Sequence, residues 1–179
     1  MRRMNTMMVA GLALAVAGGA WAQDVKVDYD KSANFGAIKT FSVKLGTSWG
    51  NPISEKRVMD EFTQALTEKG WKLAPEGEAD AQVMVHGASQ VKKDLNTFYS
   101  GTGGYRYRGF GGTGTATTTV NEYTVGTLVV DIFDAKTKSL LWRGSAQDEV
   151  SDKPDKNVKK LAKASDKMFK DFPPGSAKK

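Results

Sequence analysis

The pattern of apolar and polar positions is strongest between residues 120 and 150, where it predicts two long strands joined by a short polar turn. Leu128, Val130 and Ile132 share one face of the first strand, and Val129 and Phe133 share the other, because successive side chains alternate. Both faces are apolar there, which predicts a central strand. Residues 134–138 (Asp-Ala-Lys-Thr-Lys) supply the turn, and Leu140, Leu141 and Trp142 bring apolar bulk back.

Upstream, Val25, Val27 and Tyr29 alternate with Lys26, Asp28 and Asp30, the period of a half-buried strand. Phe41, Val43 and Leu45 share a face of a second strand. Asn51-Pro52 opens a helix, since Asn can accept a first-turn amide and Pro fits the first helical position. Glu55 suits the positive end of its dipole. Val58, Met59, Phe62, Ala65 and Leu66 recur at spacings of three and four, and Gly70 closes the helix. Trp71 and Leu73 are expected to fold back onto the sheet. Ala81, Val83 and Val85 mark a third strand running toward Val91 and fraying over 92–94. Near the end, Val158, Leu161, Ser165, Met168 and Phe172 form a second amphipathic stripe, with Ala162 and Phe169 beside it and Pro173-Pro174 as its stop. The resulting order, β-β-α-β-β-β-α, predicts an α+β fold of two layers, an antiparallel sheet with two amphipathic helices packed on it.

Residues 98–119 break this pattern, with seven glycines and five aromatics among Arg, Thr and Ser. Glycine at that density loses too much entropy on ordering to favour a packed element, so a long mobile loop is expected whose Thr-rich end enters the fourth strand. Within it Tyr105, Arg106, Tyr107, Arg108 and Phe110 put aromatic faces and guanidinium groups on one short stretch. Such a set can stack on sugars or dock a partner strand, and it is the chain's sharpest candidate for partner binding. It lacks the lysine motif of a phosphate loop, so its glycines are no nucleotide signature.

The first twenty-two residues change the picture of where the chain works. Arg2 and Arg3 precede an uncharged run over 7–20, and Ala20-Trp21-Ala22 offers small residues at the positions a signal peptidase reads. That is a secretory signal, too short and too rich in Ala and Gly for a membrane span, so residues 1–22 are expected to be cleaved. A single domain over 23–172 and a disordered tail over 173–179 are expected to remain. Removing two arginines lowers the formal charge from +6 to +4, a mild excess that does not call for nucleic acid. There is no cysteine, hence no disulfide and no thiol to carry a lipid. A bacterial periplasm is the expected compartment, with secretion the lesser alternative.

Candidate chemistry is sparse. His86 is the only histidine and has no evident partner for general-base work. One histidine without cysteine excludes a structural zinc site, and Asp28 and Asp30 are too widely spaced for a calcium loop. No cofactor or metal is expected. Asp131 and Arg143 lie on the two arms of the predicted hairpin and can form a structural ion pair across it. Lys156, Lys159, Lys160, Lys163, Lys167 and Lys170 give the last helix a basic face, which can touch an anionic membrane surface peripherally.

Several segments together resemble the DUF4136 family of bacterial cell-envelope proteins, many of which read as lipoproteins. They are Val27-Asp28-Tyr29-Asp30, Phe35 leading to Lys39-Thr40-Phe41, Asn51-Pro52, Lys69-Gly70-Trp71, Ala79-Asp80-Ala81, and the block from Gly126-Thr127-Leu128 through Asp134 to Leu141-Trp142-Arg143-Gly144-Ser145-Ala146. The resemblance implies an envelope protein without an agreed activity, so it transfers no catalytic residue. The chain departs from the lipoprotein members in having no cysteine. The leading expectation is a non-enzymatic periplasmic protein that binds an envelope protein or a glycan. The alternatives are an envelope hydrolase built on carboxylates and a structural or stress-related envelope protein.

Overall fold

The computed structural model describes residues 23–100 and 115–175; the expected leader and residues 176–179 lie outside them. The elements are β1 (Asp24–Tyr29), a 3-10 turn (Phe35–Ala37), β2 (Thr40–Thr47), α1 (Pro52–Glu68), β3 (Lys72–Leu73), β4 (Ala81–Ser100), β5 (Thr115–Asp134), β6 (Leu140–Val150) and α2 (Pro154–Met168). The strands form one six-stranded sheet in the order β1-β6-β5-β4-β2-β3.

The class is α+β, but the sheet is mixed where a purely antiparallel one was expected. β2 runs parallel to β3 and β4, while the other neighbours are antiparallel. The cause is the position of α1. A chain that leaves β2 through a helix and returns beside it re-enters in the same direction. β3 is a further correction, a two-residue edge strand that places Lys72 and Leu73 beside Thr40 and Phe41. Trp71 is buried there, whereas Leu73, with a strand on one side only, is 60% exposed. Asp80 holds the parallel start together. Its carboxylate accepts the Lys39 and Thr40 amides at 3.0 Å each, and its own amide donates to the Thr40 hydroxyl at 2.9 Å.

Local chemistry sets the helices. Asn51 accepts the Ser54 amide at 3.1 Å, Pro52 begins α1, and Gly70 takes the left-handed conformation just past its end. Val58, Phe62 and Leu66 are buried, with Met59 and Ala65 packed against the core. α2 ends at Met168, earlier than its apolar stripe suggests, and Phe169 and Phe172 enter the core from the chain beyond it.

Both helices cover one face of the sheet. The strand register aligns Phe41, Ala81, Val83, Val85, Ile132, Val130 and Trp142 on that face, and all are buried with the helix residues. Aromatic rings join the layers. Phe169 stacks on Trp142 at 5.0 Å between centroids, and meets Phe62 of α1 at 6.0 Å and Phe172 at 5.3 Å edge-on. Edge-to-face and offset contacts of this kind add to the area term that dominates burial.

β4 and β5 extend well past their neighbours. They pair over twenty positions, from Ala81 with Asp134 to Ser100 with Thr115. β2 accompanies β4 only to His86, and β6 accompanies β5 only to Thr124. Nine pairs, from Lys92 with Tyr123 outward, therefore form a two-stranded arm roughly 30 Å long. This corrects two expectations. Positions 92–94 do not fray: each is paired in the β4–β5 ladder, and Lys93 meets Glu122 across it at 2.6 Å. Residues 98–100 are strand, not loop, while 115–119, the Thr-rich end of that segment, enter β5 as expected; threonine's branched Cβ favours the extended chain against the entropy of nearby glycines.

Phe169→Ala removes the ring shared by both helices and the sheet. A loss of about 3–5 kcal/mol is expected in urea unfolding. A loss below about 1 kcal/mol would show that the other rings close the gap.

Candidate functional site

Three surfaces of the described residues carry chemistry: the arm, the sheet face without helices, and a groove between the helices. Tyr105, Arg106, Tyr107, Arg108 and Phe110 lie outside the described residues. In sequence they fall between Ser100 and Thr115, the outer ends of the arm strands.

On the helix-free face, one register row crosses five strands as Lys44, Met84, Asp131, Arg143 and Asp28. Asp131 and Arg143 are directly opposite and form a two-point ion pair, Nε to Oδ1 at 2.5 Å and a terminal guanidinium nitrogen to Oδ2 at 2.7 Å. Asp131 is only 3% exposed, whereas about half of the Arg143 side chain is open to water. The carboxylate's hydrogen bonds hold the guanidinium above its already high value. Asp30 lies past β1 and accepts the Ser32 amide and hydroxyl at 2.8 and 2.6 Å.

His86 lies on the same face, with Nδ1 2.9 Å from the Thr47 hydroxyl and Nε2 3.8 Å from Asp131 Oδ2. A hydroxyl, an imidazole and a carboxylate thus meet, in outline a nucleophile and its relay. The relay is broken, because 3.8 Å is not a hydrogen bond and Arg143 already holds both carboxylate oxygens. None of the three lines the groove.

The groove follows from where bulk is placed. The rings of Phe62, Phe169 and Trp142 draw the helices onto the sheet at one end. Toward the helix N-termini the sheet offers Gly87, Gly126 and Ala146, and α2 offers Ala164, leaving a groove of about 390 Å³. Trp49, Val58, Leu128 and Leu161 wall it. Trp49 lies flat on Gly87, where even a Cβ would fall 2.1 Å from the indole. Its loop is held by Glu55, whose carboxylate accepts the Ser48 hydroxyl at 2.6 Å and the Trp49 and Gly50 amides at 3.0 and 3.1 Å. The Ser48 hydroxyl, and after it these amides, pull the Glu55 carboxyl below its ordinary value against the effect of burial. The sequence pattern gives Glu55 only a dipole role and does not single out Trp49. The available signal was Gly87 interrupting an apolar strand face.

The lysines of the expected basic face divide. Lys156, Lys159, Lys163 and Lys167 of α2, and Lys170 just past its end, are exposed, but Lys160 is half-buried, bound to Asp148 at 3.0 Å and to the Glu149 carbonyl at 2.6 Å. It leaves the basic face because its stem reaches across to β6. No helix among the described residues is long and apolar enough to cross a membrane, and no group of three or more metal-ligating residues occurs among them.

Arg143→Leu leaves the Asp131 carboxylate buried without its partner, and a loss of about 1–3 kcal/mol is expected in urea unfolding. The double change to Asp131→Val and Arg143→Leu should return most of it; equal losses in both would refute the ion-pair account. For Glu55 the folded-state acidity is strengthened, so its contribution is present above the unfolded value of about 4.3 and lost as pH falls below it. The stability gap between the parent and Glu55→Gln should therefore be wide at pH 7 and narrow at pH 3. A gap independent of pH would exclude this role.

Comparison with known proteins gives family and fold. No curated protein matches the sequence. A PDZ domain protein from Parabacteroides distasonis is similar in structure at 17% identity and a TM-score of 0.51, over 87% of this chain and 37% of that one. At that identity the likeness is one of fold alone, and the chain spans little more than a third of that protein. The PelC dodecamer from Paraburkholderia phytofirmans has a TM-score of 0.47 at 11% identity, over 80% of this chain and 94% of that one. A neuraminyllactose-binding hemagglutinin homolog from Helicobacter pylori has a TM-score of 0.39 at 13% identity, over 77% and 87%. The model of a domain of unknown function matches residues 25–174, nearly all of the chain described above, and the protein belongs to that family, DUF4136.

Proposed function

We propose that this is a non-enzymatic cell-envelope protein, exported to the periplasm, that captures a protein or glycan partner with its paired arm. The observation that carries the reading is the nine-pair extension of β4 and β5 past every other strand. An isolated two-stranded ribbon is marginal in water and adds nothing to the core, so its length asks for a use outside the fold. Beyond His86, no strand among the described residues pairs with β4 on its β2 side. That edge is a template to which an extended segment of a partner can add a strand. The tyrosines and arginines at 105–108, with Phe110, add ring faces and guanidinium groups where the arm ends in sequence, suited to stacking on a sugar or a partner's side chains. The leader-like residues 1–22 and the absence of cysteine support export without a lipid anchor.

The test replaces residues 93–122 with Asn-Gly, joining Lys92 to Tyr123 through a tight turn. The body should unfold at an unchanged urea midpoint, while in-cell crosslinking from the envelope should lose its specific partners. Combined Tyr105→Ala, Arg106→Ala, Tyr107→Ala and Arg108→Ala changes should cause the same loss. A crosslinked set identical to that of the parent would refute the arm as the capture site.

A further inference from the structure

We propose that the groove between α1 and α2 binds one single-chain amphiphile, its aliphatic chain on the groove floor and its anionic head at Arg57. This inference concerns a different surface and does not rest on the reading of the arm. At about 390 Å³ the groove lies near the lower end of the range of small-molecule sites, about 300–1,000 Å³, room for one slender chain and not for a macromolecule. Val58, Leu128, Ala146, Leu161 and Ala164 supply aliphatic surface, and Val150 and Val158, 42% and 38% exposed, leave apolar surface at the mouth.

Several polar side chains lining the groove are already engaged within the protein. The Trp49 indole N–H donates to the Ser54 hydroxyl at 2.6 Å. The Asn157 side chain accepts the Ser151 amide at 2.8 Å and donates to the Ser151 carbonyl at 2.6 Å. Lys160 is engaged with Asp148 and the Glu149 carbonyl. Among the described residues every buried side-chain nitrogen and oxygen has a partner. A sugar needs several open donors and acceptors, and the lining offers few beyond the Ser89 and Thr124 hydroxyls, whereas an aliphatic chain needs none.

Arg57 completes the argument by charge. It is exposed on the groove-lining turn of α1, and no carboxylate among the described residues lies within ion-pair distance of it. A guanidinium suits a carboxylate or phosphate through two parallel hydrogen bonds. Apolar floor and cationic rim together select an acyl chain with an acidic end.

The probe is dodecanoate, titrated into the purified full chain by calorimetry below its micelle-forming concentration, with dodecyltrimethylammonium as the cationic counterpart. One site per chain is expected, with dodecanoate preferred by at least about tenfold, a gap of about 1.4 kcal/mol. Arg57→Glu should reverse that preference. Val158→Trp, at an exposed position, should block the mouth and weaken dodecanoate about tenfold or more without moving the urea midpoint. A bromine-labelled dodecanoate should quench tryptophan fluorescence, and Trp49→Phe should remove that quenching. Binding only at micellar concentrations, equal binding of the two amphiphiles, or affinity untouched by both Arg57→Glu and Val158→Trp would overturn the proposal. Loss of partner capture on removing the arm, with dodecanoate binding intact, would leave this site standing on its own.

Discussion

The β4–β5 ladder is the constraint on which the rest of the molecule depends. Its inner half is the centre of the sheet, where Val83 faces Ile132 and Val85 faces Val130 beneath the helices. Its outer half is the arm. Because strand pairing fixes every side chain to one face, the register that buries those four residues also sends Asp131 and His86 to the opposite face. A slip of one position would bury a carboxylate among aromatic rings, so the core holds the register of the arm as well.

The second determinant is uneven bulk. The aromatic side chains gather at one end of the helix pair, where Trp142, Phe169 and Phe172 touch one another and Trp71 packs on Phe172. Small residues lie under the other end. A close-packed core would fill that space, since lost contacts weaken the lining. Here the space is kept open by side chains that are absent, and Trp49 uses part of it by lying against Gly87. The groove is thus a property of the packing arrangement and not a gap between loosely joined parts.

What could be read from the sequence was what is decided locally. Asn51-Pro52 and Gly70 mark the ends of α1 because caps and left-handed turns involve only neighbouring residues. The apolar run over 128–133 predicts a central strand, and β5 does lie inside the sheet between β6 and β4, although the helices cover only one of its faces and the other carries Asp131. The parallel pairing of β2 with β4 was within reach as well, since a helix lies between them, but it needed the knowledge that they are neighbours. The arm was hidden by composition. Its strands are rich in threonine and border glycines, and their order comes from each other rather than from a core. The groove left still less trace, because its floor is written in glycine and alanine, residues that announce nothing by themselves.

The edges of the sheet show why the arm stands apart from the body. β1, one outer strand, alternates Asp24, Lys26 and Asp28 and carries exposed charge along its length. β3, the other, is two residues long. Both devices discourage strand addition by a passing chain. At the arm's root, Lys92, Lys93, Asp94 and Glu122 continue that protection. Farther out it stops, because residues 95–100 and 115–120 contain no charged side chain. The outer strands β1 and β3 are thus charged or short, and the arm is the place where paired backbone runs on without either device.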